Sequence, residues 1–255
     1  MKFLISFFLR KIPRRYLQLF SHTALRIVSV FYRGDKVECP VCESRFRKFL
    51  PYGRMKSRPN ALCPKCLALE RHRLIWLYLK RKTDFFTKEA KMLHVAPELC
   101  FMDRFEALPN LEYITADIES PLAKVKMDIH SIPFEDDSID IIFCNHVLEH
   151  VDDDKKALSE MRRVLKPGGW AILQVPFFYP LPKVTYEDKS IVDPKEREKA
   201  FGQDDHVRMY GEDYGARLAE SGFQVVEEHL IDELIPEEKT RFALPEKEVI
   251  YKVVK

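Results

Sequence analysis

From Met92 to Val254 short apolar runs alternate with amphipathic stretches. Seven runs have the length and the apolar or β-branched content of strands: Met92–Ala96, Leu111–Asp117, Val125–Ile129, Ile139–Cys144, Trp170–Val175, Phe223–Ile231 and Glu248–Val254. Ile139–Cys144 is apolar at all but Asp140, as a strand covered on both faces requires. Between the runs, Cys100–Leu108, Asp153–Leu165 and Tyr210–Ser221 predict helices, and Gly222 ends the last of these. Lys166-Pro167-Gly168-Gly169 predicts a turn before the fifth strand. This alternation predicts an α/β fold with a doubly wound, mainly parallel, seven-stranded sheet. Residues 177–205 contain prolines and follow neither period, so a long irregular segment is expected there, of the kind that carries function or stays disordered.

The chain ahead of this pattern differs. Its first 32 residues are apolar, aromatic and basic and contain no acid. Phe3, Leu4, Phe7 and Phe8 fall at helical spacing, and Pro13 divides two short helices. Leu67–Lys82 has the pattern of a further helix. The expected organisation is a basic amphipathic segment over 1–34, a cysteine-bearing module with its helix over 35–82, and the α/β domain over 83–255.

Composition changes this picture through charge. Residues 1–82 hold 20 Lys and Arg against four Asp and Glu, whereas the rest holds 22 against 36. The near-neutral total of +2 therefore conceals two parts of opposite sign. An anionic partner for the first part is one reading, with an anionic membrane face along residues 1–32, RNA or an acidic glycan as candidates. Docking of the basic part on acidic surface of the same chain is the other. No apolar run approaches the roughly 18–20 residues needed to span a bilayer. With no secretory cleavage pattern, a reducing cytoplasm is the expected compartment, with the inner membrane face open as a peripheral site.

Four of the six cysteines form two Cys-Pro-x-Cys pairs, Cys39/Cys42 and Cys63/Cys66. Each short turn aims two sulfurs at one centre, and four thiolates fill a tetrahedral Zn²⁺ shell. No position then remains for water, so the expected ion is structural, stabilising a module too small for a core of its own. A redox dithiol or disulfides are the alternative.

Several short motifs stand in a recognisable order: Ile132-Pro133-Phe134, Ser138-Ile139-Asp140, His146-Val147-Leu148-Glu149-His150 and Arg163-Val164-Leu165-Lys166-Pro167-Gly168-Gly169. Together they resemble the type 11 domain of class I S-adenosylmethionine-dependent methyltransferases, closely over about a fifth of the chain. The cysteine module resembles zinc ribbons. The first resemblance implies a cofactor site at the strand ends. Asp117 would accept from the ribose hydroxyls, Asp128 from the adenine amino group, and the backbone of Ile129 would meet a ring nitrogen, with Asn145 beside the methionine end. The first loop departs from the family's acid-x-Gly-x-Gly-x-Gly pattern: His94 replaces the acid, and Ala96, Glu98 and Cys100 replace glycines. Ala96 still permits close approach, and Glu98 is a candidate partner for the cofactor's ammonium. The resemblance also implies an antiparallel seventh strand.

On the acceptor side, His206 and His146 are the candidate general bases, with His150, Arg208, Tyr210 and Tyr179 as candidate substrate contacts. Asp205 is placed to orient His206 or to open the next helix. Three functions follow. The first is methyl transfer to an oxygen or nitrogen of a small molecule, sugar or lipid-linked glycan. The second is RNA methylation, with Arg45, Arg47, Lys48, Arg54, Lys56 and Arg58 interleaved with Phe46, Phe49 and Tyr52. The third is a binding protein that has lost catalysis. No Asn-Pro-Pro-Tyr motif is present. The sequence does not set the oligomeric state.

Overall fold

The computed structural model describes residues 27–53 and 57–255. Most of the predicted amphipathic segment, and Arg54 and Lys56 of the basic run, lie outside the described residues. The chain forms two compact units. Among the described residues, the first comprises 27–53, 57–86, 98–108 and 230–248; the second comprises 87–97, 109–229 and 249–255.

In the first unit, β1 (Arg33–Cys39) pairs antiparallel with β2 (Ser44–Phe46), and β3 (Leu50–Tyr52) pairs antiparallel with β4 (Arg58–Leu62). Helix α1 (Glu70–Lys82) follows, starting three residues after the predicted point because Leu67 takes a left-handed φ of 65°. Its residues His72 to Leu79 are all buried. Trp76 stacks on Phe101 and Phe105 of α2 (Leu99–Glu106) at 6.2 and 6.0 Å. Arg73 is fully buried and donates to the carbonyls of Ala61 (2.9 Å), Ala68 (2.8 Å), Asn60 (3.3 Å), Phe242 (2.7 Å) and Ala243 (2.5 Å). A charged hub of this kind satisfies irregular backbone that has no ladder to join.

The second unit is built on a seven-stranded sheet. Its strands are β5 (Ala90–Val95), β6 (Leu111–Asp117), β7 (Val125–Lys126), β8 (Ile139–Asn145), β9 (Leu165–Gln174), β12 (Gln224–Glu228) and β13 (Ile250–Val254). Their order is β12-β13-β9-β8-β5-β6-β7, with β13 antiparallel to both neighbours and the other pairs parallel. The predicted mainly parallel sheet and its antiparallel seventh strand are both present. The strand order runs in opposite directions from β5, so the crevice between β5 and β8 is the topological switch point. Helix α3 (Asp154–Val164) is capped by Asp153, whose side chain accepts from the Lys156 N–H. It buries Ala157, Leu158, Met161 and Val164 in the core with Leu93, Ile142, Leu173 and Val253.

Several predicted boundaries move: the strands expected over 125–129, 223–231 and 248–254 are Val125–Lys126, Gln224–Glu228 and Ile250–Val254, and Leu230–Glu233 is helical. The Lys-Pro-Gly-Gly stretch is extended and begins β9, with Leu165 opposite Ile139 across a register shift. Residues 177–205 are more ordered than expected. They contain β10 (Tyr186–Glu187), paired with β11 (Arg208–Met209), and helix α4 (Pro194–Phe201). Asp193 caps α4 and Gly202 closes it at φ 89°. After β11, helix α5 begins at Tyr214 and not at Tyr210, because Asp213 accepts from the Thr185 N–H and hydroxyl. Short helices α6 (Leu230–Glu233) and α7 (Pro236–Arg241) belong to the first unit.

Candidate functional site

The carboxyl ends of the parallel strands gather the polar residues of the second unit. Ala96 follows β5 with φ 48°, a left-handed conformation suited to glycine, while its N–H still donates to Ala116 at 2.8 Å. The loop thus keeps the backbone form of a glycine turn without the glycine. Asp117 ends β6, and its Oδ1 accepts from the N–H groups of Glu119 (2.7 Å) and Ser120 (2.6 Å). Asp128 lies just beyond β7 with a half-exposed side chain. The backbone N–H of His130 at 2.9 Å, and its imidazole at 2.7 Å, hold the Asp128 carboxyl below the usual range. Ile129 is buried, and Asn145 ends β8 with 4% exposure. His94 is fully buried in β5, its Nδ1 2.8 Å from the Tyr113 hydroxyl. The position where the resemblance expects an acid is therefore inside the sheet layer. Glu98 belongs to the first unit, where its Oε1 stands 3.7 Å from Nε2 of His72.

A second cluster follows β8. His146 has φ 55°, and its N–H donates to Gln174 at 2.7 Å, which turns its side chain out of the strand. Its Nδ1 is 3.4 Å from Oε1 of Glu149. Glu149 is 1% exposed, and its Oε2 has no hydrogen-bond partner. Burial pushes this carboxyl up, but His146 and His150 outweigh burial and hold it below the usual carboxylate range. His150 and His206 meet edge to face with ring centroids 4.8 Å apart. His206 is fully buried, and burial pushes its imidazole down. Sequence spacing does not join Glu149 to His206; the N–H of Val207 donating to the Glu149 carbonyl at 2.9 Å brings them together. Asp205, a candidate to orient His206 or to open the next helix, has its carbonyl 3.1 Å from Nδ1 of His150.

Two expected substrate contacts are turned to other work. Arg208 is 2% exposed. It donates to the carbonyls of Leu148, Val151 (2.5 Å) and Asp152 (3.2 Å) and to Glu187 at 3.2 Å. Its guanidinium is used up in holding the turn that carries Glu149 and His150. Tyr210 is 1% exposed and donates to Asp154 at 2.7 Å, where Arg217 also binds through two nitrogens (2.7 and 2.6 Å). Neither side chain faces solvent. Tyr179 is 64% exposed.

In the first unit the four cysteines converge. Cys39 and Cys66 sulfurs are 3.6 Å apart, those of Cys42 and Cys63 3.7 Å, and all four lie within 4.8 Å. A disulfide needs about 2.05 Å. A tetrahedron with arms of about 2.3 Å has edges of about 3.8 Å, so the sulfur spacing fits a Zn²⁺ shell. The two knuckles are alike. The N–H groups of Glu43 and Leu67 donate back to Cys39 (2.7 Å) and Cys63 (3.0 Å), and both residues take left-handed φ, 55° and 65°. Burial pushes the Cys39 thiol up, while bonds from Cys39, Cys63 and Cys66 pull Cys42 well down. Four sulfurs so placed could hold a metal ion.

Residues 90–173 match the family model described as a methyltransferase domain. This segment is a methyltransferase domain. It begins with β5 and ends near the close of β9, so it spans the switch point and both strand-end clusters except for His206. Among curated proteins, a ubiquinone/menaquinone biosynthesis C-methyltransferase of Vibrio vulnificus is 40% identical over 78 residues, 29% of this chain and 26% of that protein. A tRNA U34 carboxymethyltransferase of Nautilia profundicola is 39% identical over 77 residues, 30% of this chain and 24% of that protein. The chain thus matches about a quarter of the length of these relatives. Among solved structures, a SAM-dependent methyltransferase from Archaeoglobus fulgidus is 16% identical with a TM-score of 0.47, covering 71% of this chain and 93% of that one.

Proposed function

We propose that the chain transfers a methyl group from S-adenosylmethionine to an oxygen or nitrogen of a small molecule, sugar or lipid-linked glycan, and that its four-cysteine cluster holds a structural zinc ion. The observation that carries this reading is the row of strand ends at the switch point: Ala96 in a left-handed turn, then acids at the ends of β6 and β7. Asp117 accepts from the ribose hydroxyls and Asp128 from the adenine amino group. The backbone at Ile129 meets an adenine ring nitrogen, and Ala96 lets the chain pass close to the nucleoside. When bound, the cofactor supplies an electrophilic methyl group; the protein's task is to hold and aim the acceptor.

A hydroxyl or amine must lose a proton on methylation. His146, whose Nδ1 stands 3.4 Å from Oε1 of Glu149, is the candidate to take it. RNA as acceptor draws on the basic first part of the chain and on the tRNA enzyme among the relatives. Against it, Phe46 and Phe49 are buried and pack edge to face at 5.9 Å, so they are not available for base stacking. Arg45 and Arg58 are paired with Glu38 and Glu70.

Calorimetry of the zinc-loaded protein with S-adenosylmethionine and its demethylated product tests the cofactor assignment. Asp117→Ala is expected to weaken both at least tenfold, the equivalent of about 1.4 kcal/mol. Folded protein that binds neither would make this a binding domain without the chemistry. Incubation of cell extract with methyl-labelled cofactor, followed by separation of small-molecule, glycan, lipid and RNA pools, then tests the acceptor class. Label confined to RNA would overturn the small-acceptor reading.

A further inference from the structure

The cluster beside β8 contains more metal-ligand chemistry than methyl transfer requires. One ligand atom from each of Glu149, His150 and His206 falls within 4.8 Å of the others. The hydrogen-bond directions fix what these atoms offer. A carbonyl oxygen only accepts, so Nδ1 of His206, 3.1 Å from the Phe201 carbonyl, carries the proton. Its Nε2 then presents a lone pair; it is buried and has no hydrogen-bond partner. The same argument applies to His150, whose Nδ1 faces the Asp205 carbonyl at 3.1 Å, leaving a lone pair on Nε2 at 3.9 Å from Oε1 of Glu149. The third member is a carboxylate that is 1% exposed, with Oε2 equally without a partner.

With His150 neutral, two imidazole lone pairs and a carboxylate thus converge, two of the three side chains being buried and His150 lying on the solvent side. Such an array repels itself unless a cation sits between its members. Imidazoles whose far N–H is held by a backbone carbonyl are the usual form of metal-bound histidine, because that bond fixes tautomer and ring direction. His146 at 3.4 Å from Oε1 does the same for the carboxylate, and Arg208 pins the backbone of the turn. We propose that Glu149, His150 and His206 bind a divalent first-row transition-metal ion, distinct from the four-cysteine site. Nitrogen and oxygen ligands of this mixture suit Mn²⁺, Fe²⁺, Co²⁺ or Zn²⁺. Ligand atoms around one ion at arms of about 2.1 Å stand roughly 3–4 Å apart, so the three side chains close by about 1 Å on binding. His150, at 35% side-chain exposure, is the member on the solvent side, and it leaves the ion's other positions open to water or an oxygen ligand.

The inference does not depend on S-adenosylmethionine, and its test leaves the cofactor out. Zinc-loaded full-length protein is titrated with Mn²⁺, which thiolates hold poorly, and free Mn²⁺ is followed by electron paramagnetic resonance. One bound Mn²⁺ per chain is expected. A parallel titration with Co²⁺ is expected to give visible bands without added thiolate-to-metal charge transfer. Glu149→Gln and His206→Gln are each expected to weaken Mn²⁺ by more than the roughly 10–100-fold that loss of a supporting bond costs. His150→Gln, on the solvent side, keeps the test valid if a buried variant fails to fold. His229→Asn is the control outside the cluster. Wild-type protein that binds neither ion overturns the proposal, as do variants that bind as tightly as the parent. Calorimetry with S-adenosylmethionine on the same samples reports separately on the methyltransferase reading.

Discussion

Ala96 shows how a single backbone angle can carry a motif whose residues have changed. An alanine held at φ 48° carries roughly 1–2 kcal/mol of Cβ strain that glycine avoids, offset by about 0.5–1 kcal/mol of extra chain entropy for glycine in the unfolded state. Ala96→Gly is therefore expected to unfold at the same denaturant concentration as the parent or slightly higher. Ala96→Val, β-branched at the same angle, is expected to lose more than about 1 kcal/mol. Chemical denaturation of the three proteins checks both. A glycine variant less stable by about 1 kcal/mol would show that this residue is not left-handed in solution. The angle itself was not legible in the sequence. Alanine gives no signal for positive φ, and only the order of the surrounding motifs pointed to a turn there. The same limit hid His146, Glu43 and Leu67, all left-handed and none of them glycine.

Among elements, the clearest case is the turn from Leu148 to Asp152, which has no regular backbone ladder and is held by Arg208 of β11. Three carbonyls of the turn receive one guanidinium. Lysine at this position would keep the charge but cannot make a planar fork of donors. Arg208→Lys is expected to leave buried carbonyls unsatisfied and to cost about 1–3 kcal/mol of stability. It is also expected to loosen the Glu149 and His150 positions, so that exchange of the amide protons in 148–152 accelerates while those of β8 do not. Unchanged exchange across the turn would show that the arginine is dispensable there.

Sequence reasoning placed Arg208 near the site through the resemblance, but gave it a substrate. Burial, which decides between a binder and a brace, depends on where β10 and β11 pair, and two-residue strands leave no periodic signal. Strand β6 was readable to both ends because Leu111–Asp117 is bounded by Asn110 and an acid. Helix α4 had readable ends, Asp193-Pro194 and Gly202, yet its face is polar, with Phe201 its one buried residue, so no apolar stripe announced it.

For the whole molecule, the two units have different sources of stability. The second owns a continuous apolar core of strand and helix side chains. The first has short strands, a buried helix and the cysteine knuckles, and its segments 98–108 and 230–248 come from either side of the sheet strands in the chain. If zinc occupies the cysteine cluster, its removal takes away folding energy from the first unit alone. Chelation is expected to release one zinc per chain in a colorimetric assay and to expose the amides of β1–β4 and α1 to hydrogen exchange. The amides of β8 and β9, within the apolar core, are expected to keep their protection at the same temperature. Cys42→Ser should reproduce the pattern without chelator, because three remaining sulfurs cannot close the tetrahedral shell. Loss of protection in β8 and β9 together with β1–β4 would instead show one cooperative unit, with the zinc module as part of the folding of the methyltransferase domain.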